Sequence, residues 1–226
     1  MRKINTYATS STESLLATNK LIRNTYMLLA MTMAFSAVTA VVSMLINPPF
    51  IMYLGSVIVS FVMLFILNKK QNSAAALPLV FAFTGLLGFG LGPILNMYLG
   101  MANGGQLIVT ALGMTALTFV GLSAYVLTTR KDFSFMGGFL AAGMMVALIA
   151  MVALFVLPLF GVNVGSAHVA FSALIVLLMV GFILYDTSNI VNGHYSNYIM
   201  ATVSLYLNIY NLFIHLLSLL GVMSDD

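Results

Sequence analysis

The chain alternates between long apolar runs and short polar connections. Seven of the runs approach or exceed the 20 or so apolar residues that a helix needs to cross the hydrocarbon core of a bilayer. The connections between them are rich in Asn, Gly, Pro or charged residues, which interrupt helices or need water. The pattern predicts spans at about 25–46, 50–67, 77–99, 106–129, 136–160, 166–185 and 198–222.

Composition supports the same fold class. Of the 226 residues, 62% are hydrophobic and 6% are charged, whereas a soluble domain carries about 25% charged residues. We therefore expect an all-α membrane protein. A polar segment precedes the first run and is too long for a signal-peptide n-region, so the first helix is expected to stay in the mature protein. The predicted organisation is a cytoplasmic polar tail at 1–24, with a short interfacial helix across roughly 12–23, and a seven-helix transmembrane bundle at 25–226.

The basic residues all fall on one side of the predicted seven-span topology. They are Arg2, Lys3, Lys20, Arg23, Lys69, Lys70, Arg130 and Lys131. The positive-inside rule then puts the amino terminus in the cytoplasm and the carboxyl terminus outside. The last two spans follow the last basic residue, so a re-entrant final hairpin stays open. No basic stripe is interleaved with aromatic residues, so the expected partner is the lipid bilayer and not nucleic acid.

The seventh run carries a polar stripe. Intervals of 4, 3, 4 and 3 residues put five polar side chains on one helix face: Ser204, Asn208, Asn211, His215 and Ser218. An unpaired polar group in hydrocarbon costs several kcal/mol, so this face must meet other helices or water. The last helix is therefore expected to be central. The stripe predicts either interhelical hydrogen bonds or the wall of a polar cavity or ion pathway.

Asp186 ends the sixth run, and a hairpin would bring it close to Ser204 and Asn208. It is either a solvated residue at a helix end or an intramembrane functional carboxylate. The candidate cavity or ion pathway comprises Asp186, Ser204, Asn208, Asn211 and His215. A single carboxylate there, without a nucleophile–base set, predicts that the protein is not an enzyme. Absent cysteine and scattered histidines predict no metal site and no cofactor.

The third run contains Gly88 and Gly92, a pair of small residues four positions apart, followed by Pro93. Such pairs let helix backbones approach closely in a membrane. Pro93 lacks a backbone donor and is expected to kink or break the helix near Phe89. The three residues predict either tight packing or a hinge beside a cavity.

Several segments together resemble the Bax inhibitor-1 family. They are Tyr185-Asp186-Thr187, residues 204–213, Phe83-Thr84-Gly85, Gly92-Pro93-Ile94-Leu95, Ser123-Ala124-Tyr125 and residues 128–135. They run in family order over most of the chain after residue 80. The polar amino-terminal tail and residues 186–190 are most similar to the bacterial YccA-type branch.

The resemblance implies a fold and two candidate functions. The fold is a seven-helix bundle with the last helix surrounded by the other six. The YccA-type branch implies a bacterial inner-membrane protein that associates with the ATP-dependent membrane protease FtsH and modulates it. The wider family implies, as the alternative, a pH-influenced leak for calcium or another cation, in which two intramembrane aspartates share a proton. Asp186 matches the first aspartate, and the second position is Asn208, whose amide does not titrate.

Overall fold

A computed structural model describes the backbone of residues 2–224 and the side chains of residues 16–224. Within that part of the chain the fold is all helical and contains no strand. The seven α-helices are α1 (Arg2–Ile46), α2 (Ile51–Lys70), α3 (Ala76–Leu99), α4 (Gly104–Thr129), α5 (Gly137–Val156), α6 (Gly165–Val191) and α7 (Tyr198–Ser224). Short 3₁₀ turns at Ser134–Met136 and Leu157–Phe160 flank α5.

Seven segments of the described chain are long and apolar enough to cross a membrane, which confirms the predicted span count. The first is Leu16–Ile46, and the last is Tyr198–Ser224. At 1.5 Å of rise per residue, the 27 residues of α7 cover about 40 Å. That length exceeds the roughly 30 Å of a hydrocarbon core, so α7 is long enough to cross completely.

The first helix differs from the expectation of a separate interfacial segment. It is continuous from Arg2 to Ile46, because no Gly or Pro interrupts these 45 residues. The helix ends just before Pro48, where Asn47 adopts a φ of 52°. Asn96 of α3 closes this end, since its side-chain amide donates to the carbonyl oxygen of Met44 at 3.0 Å and to Asn47 Oδ1 at 2.8 Å.

The sixth helix is longer than predicted. The sequence interpretation ended it at Asp186 and treated residues 186–197 as a polar connection, but α6 continues to Val191. The polar residues from Asp186 to Asn189 are all buried. They stay helical because side chains and backbone groups of other elements satisfy them. Asp186 is therefore not a solvated residue at a helix end.

The third helix continues through Pro93 to Leu99, so it does not break at Phe89. Membrane helices tolerate proline where neighbouring helices surround the freed backbone groups. This half of α3 is enclosed in that way, since the residues from Gly90 to Leu95 are all buried. The helix packs against α1 on one side and α2 on the other.

Helices α3, α6 and α7 each pack against four other helices. Helix α7 packs against α1, α3, α4 and α6, and α5 packs against α6. Three connections meet at one end of the bundle. Asn197, at the start of α7, donates from Nδ2 to the Gln71 carbonyl oxygen at 2.9 Å and to Asn72 Oδ1 at 2.7 Å. Ser188 of α6 accepts a hydrogen bond of 2.8 Å from the backbone N–H of Phe133 in the connection after α4.

Candidate functional site around Asp186

Asp186 lies inside the bundle, with 2% of its surface exposed. Its Oδ2 atom accepts hydrogen bonds from Ser204 Oγ at 2.6 Å and Asn208 Nδ2 at 2.7 Å. Its Oδ1 atom accepts a third from the Tyr195 hydroxyl at 3.0 Å. Both carboxyl oxygens are thus satisfied by protein donors, as buried polar groups require. None of the three donors is a charged group.

The local sequence explains this arrangement. Ser204 and Asn208 are four residues apart, so both project from the same face of α7 toward α6. Asp186 stands less than two turns before the end of α6, and the short connection to α7 folds Tyr195 back over it. Burial, reinforced by the neighbouring Asp186 carboxyl, raises the pKa of the Tyr195 phenol well above its ordinary value. Tyr195 therefore keeps its proton at neutral pH and acts as a donor.

The remaining predicted site residues do not join this cluster. Asn211 donates at 2.8 Å to the Leu207 carbonyl oxygen of its own helix. His215 pairs with Ser172 of α6 at 3.2 Å, and Ser172 in turn donates to Ser218 at 3.3 Å. His215 follows Asn208 by seven positions, which amounts to about 10 Å along α7. The stripe residues thus bond to α6 in two separate clusters, one at Asp186 and one at Ser172. The ion pathway stays a prediction.

A second polar face of α7 was missed in the sequence interpretation. Thr202, Tyr206 and Tyr210 recur every four residues, and that interval is the signal that could have revealed them. Their hydroxyls form hydrogen bonds with α1 and α3. In α1, Thr202 donates to the Thr25 carbonyl oxygen at 3.2 Å, and the Tyr206 hydroxyl lies 2.7 Å from Ser36 Oγ. In α3, Tyr206 donates to the Thr84 carbonyl oxygen at 3.1 Å, and Tyr210 donates to the Leu87 carbonyl oxygen at 3.3 Å. Helix α7 is thus hydrogen-bonded to α6 on one face and to α1 and α3 on another.

Gly88 and Gly92 face α1 at very close range. A Cβ atom at Gly88 would overlap the backbone carbonyl oxygen of Ser36, and one at Gly92 would stand 2.9 Å from the carbonyl carbon of Ser43. Backbone atoms cannot yield as a flexible side chain can. These contacts fit the packing interpretation of the pair, in which small residues let two helices approach closely.

A polar cavity of ≈ 380 Å³ lies beside the Asp186 cluster. Its lining residues come from α6, the following connection and the start of the 3₁₀ turn before α5: Ser134, Tyr185, Asn189, His194 and Tyr195. Tyr195 belongs to both features, since it lines the cavity and donates to Asp186. Asp186 itself does not line the cavity. No cluster of three potential metal-ligating side chains occurs among the residues that the structure describes.

Comparisons with known proteins agree with this fold and with the motifs. The family model described as "Inhibitor of apoptosis-promoting Bax1" matches residues 18–225. The chain belongs to the Bax inhibitor-1 family. Within this family it is 49% identical over 213 residues to "Modulator of FtsH protease YccA" of Escherichia coli K12, and the match covers 94% of each chain.

Other bacterial relatives have sequence identities to the chain in the same range. It is 46% identical over 221 residues to a membrane protein of Vibrio cholerae, with 96% of each chain covered. It is 50% identical over 206 residues to a protein of Pseudomonas aeruginosa, with 91% of this chain and 90% of the relative covered. The predicted family resemblance is thereby confirmed. The seven apolar helices and these relatives identify a multi-pass protein of the bacterial inner membrane, and the family points to a regulatory or channel-like role.

Proposed function

We propose that the chain is a modulator of the membrane protease FtsH. The observation that carries the proposal is its 49% identity to the E. coli protein named as such a modulator, over 94% of both chains. Identity at that level over 94% of both chains implies the same bundle. The remaining support comes from how α1 is built and held.

We further propose that the amino terminus is cytoplasmic, the carboxyl terminus is outside and α7 is the central helix. The connections after α2, α4 and α6 share one end of the bundle. The first two of them carry Lys69, Lys70, Arg130 and Lys131, and an excess of basic residues favours the cytoplasmic side. The central role of α7 is supported by its hydrogen bonds to three other helices, α1, α3 and α6.

Helix α1 combines a segment that the protease can grip with a span that resists extraction from the membrane. Its polar first turns continue without interruption into the span that starts at Leu16. Force applied to the amino terminus would therefore act directly on this span. The span is held by the close approach of Gly88 and Gly92 and by the hydrogen bond between Ser36 and Tyr206. A substrate that is engaged by its tail but extracted slowly occupies the protease, which is a direct physical route to modulation.

The test removes the polar first turns of α1 without disturbing the packed span. Among the described side chains of α1, Leu21 and Ile22 are the first that pack against the core, so we expect a deletion of residues 2–14 to leave the bundle intact. We expect it to abolish co-purification with FtsH and to restore degradation of a membrane substrate to the rate without this chain. Replacement of the same residues by a Gly/Ser segment of equal length is the matched control for tail length. Unchanged association and unchanged substrate degradation after deletion would refute the proposal.

The alternative function is a cation leak of the Bax inhibitor-1 type, with Ca²⁺ as the transported ion. One observation favours it: Tyr195 both lines the polar cavity and donates a hydrogen bond to the buried Asp186. Calcium flux into proteoliposomes from pH 6 to 8 tests it, with Asp186→Asn as the matched variant. Flux that depends on the Asp186 carboxyl supports a leak, whereas flux indifferent to that substitution, or no flux, counts against it. The Asn208→Asp variant asks whether pH-gated flux returns with a second carboxyl.

A further inference from the structure

A long apolar crevice lies between α1, α3, α4 and α7, on the opposite flank of α7 from Asp186. Its volume is ≈ 570 Å³. Residues such as Met33, Ala37, Leu112 and Ile209 line it. Six of its lining residues are exposed, among them Ala37 of α1 and Ala116 of α4. The crevice therefore opens sideways, toward the hydrocarbon of the bilayer.

The crevice exists because α1 and α4 do not pack along each other. Each of the two helices packs against α3 and α7 instead. They approach each other at one end, where the rings of Tyr26 and Phe119 stand 6.2 Å apart between centroids. Small side chains on both helices, including Ala30, Ala37 and Ala116, keep the remainder open.

The dimensions of the crevice select its occupant. On α1 the lining extends from Tyr26 to Met44, which at 1.5 Å per residue is about 27 Å, close to the thickness of a hydrocarbon core. A helix of that length, about 10 Å wide with its side chains, occupies roughly 2,000 Å³, several times the volume of the crevice. A polymethylene chain is only one carbon wide. Flexible acyl chains can therefore enter the crevice where a helix cannot.

One end of the crevice is basic. Arg23 precedes the lining residue Tyr26 by three residues and Lys20 precedes Arg23 by three more, so both lie on the same face of α1 nearer the polar tail, and both are exposed. Exposed cations beyond the end of an apolar crevice suit the phosphate of an anionic lipid.

We propose that this crevice is a binding site for one anionic phospholipid. An acyl chain lies in the crevice between α1 and α4, starting from the end nearest Tyr26, and Arg23 pairs with the phosphate at the membrane surface. The bound chain supplies the contacts that α1 and α4 do not make with each other, and so links α1 to the rest of the bundle.

The acyl chain is tested by filling the crevice. The purified chain is stripped of lipid, incubated with phosphatidylglycerol and examined by native mass spectrometry. We expect one retained lipid per chain in the wild type, and retention reduced several-fold in Ala37→Phe and Ala116→Phe. Val38→Phe is the matched control, because Val38 is an exposed residue of the same helix that does not line the crevice, and it projects about 100° away from Ala37 around the helix. Far-UV circular dichroism checks that each variant is folded.

The headgroup is tested separately. Arg23→Gln removes the charge at the end of the crevice. The variant is expected to weaken binding of phosphatidylglycerol several-fold while leaving binding of phosphatidylcholine unchanged. Two results would overturn the proposal: equal retention by Ala37→Phe and Val38→Phe, or equal affinity of the wild type for the two lipids. Absence of a retained lipid in the wild type would overturn it as well.

Discussion

The side-chain amide of Asn208 donates a hydrogen bond of 2.7 Å to Asp186 across the interface between α6 and α7. Family resemblance implies a second carboxylate at the position of Asn208. Two carboxylates at this separation cannot both be ionised and must share a proton. An amide supplies its own N–H, so the link forms here without any proton being taken up. The Asp186 cluster of this chain is suited to holding the last two helices together.

Asn208→Asp is expected to make the stability of the bundle depend on pH. The folded variant must retain a shared proton between the two carboxyls, whereas the unfolded chain releases both protons in mildly acidic solution. Folding therefore binds a proton, and stability is lost as the pH rises. We expect the thermal midpoint of the variant in detergent to fall from pH 5 to pH 8, while that of the wild type changes less.

The swapped pair is the control for this experiment. Asp186→Asn combined with Asn208→Asp restores one carboxyl and one amide at the same interface. We expect it to recover most of the lost stability at pH 8 and to remove the added pH dependence. A double variant as unstable and as pH-sensitive as Asn208→Asp alone would show that sharing a proton is not the cause.

Tyr195→Phe removes the donor that covers Asp186 Oδ1. Leaving one buried acceptor unsatisfied costs about 1–3 kcal/mol, and we expect a destabilisation at the lower end, since two donors remain on Oδ2. A double-mutant cycle with Asp186→Asn, read by chemical unfolding in detergent, isolates the pair. The cost of Tyr195→Phe should shrink in the Asp186→Asn background. Equal cost in both backgrounds would mean that the hydroxyl acts through other contacts.

Gly88→Ala is expected to destabilise the bundle by about 1–3 kcal/mol, because the new methyl group would press on the backbone of α1. Gly121 of α4 is the matched control, since a Cβ atom there meets nothing within 4 Å. Gly121→Ala should be neutral or stabilising by up to about 1 kcal/mol through helix propensity. Thermal unfolding in one detergent compares the two. Equal effects would contradict close packing of α3 on α1.

The sequence was sufficient to predict the number of spans and the proximity of Asp186 to Ser204 and Asn208. Apolar runs of span length have few alternative structures in a bilayer. Helical periodicity brought Ser204 and Asn208 to one face, and the short connection to α7 brought Asp186 to them. These predictions depend only on local geometry and on connection length.

Features that depend on tertiary contacts could not be predicted in this way. Residues 187–189 are polar, and only their burial by other elements keeps α6 helical to Val191. Tyr195 and Tyr206 belong to the bonding pattern because of what the fold places opposite them. The crevice arises from a gap between α1 and α4, two helices that the chain order separates. Hydropathy alone gives no signal for such a gap.

Tyr206→Phe tests whether the second polar face of α7 stabilises the bundle. Tyr206 is 1% exposed, and its hydroxyl lies 2.7 Å from Ser36 Oγ of α1 and 3.1 Å from the Thr84 carbonyl oxygen of α3. Interhelical hydrogen bonds in membranes average about 0.6 kcal/mol and reach about 1.7 kcal/mol. We expect a loss of roughly 1 kcal/mol, because the substitution removes two such bonds and strands the Ser36 hydroxyl.

The partner substitution separates the bond from the packing of the ring. Ser36→Ala in the Tyr206→Phe background removes the stranded hydroxyl, so the double variant should regain part of the lost stability. The ring keeps its edge contact with Phe83 in both variants, at 6.1 Å between centroids. Chemical unfolding in a single detergent gives the three free energies. If Tyr206→Phe is as stable as the wild type, the hydroxyl contributes nothing measurable and α7 is held to α1 and α3 by apolar packing alone.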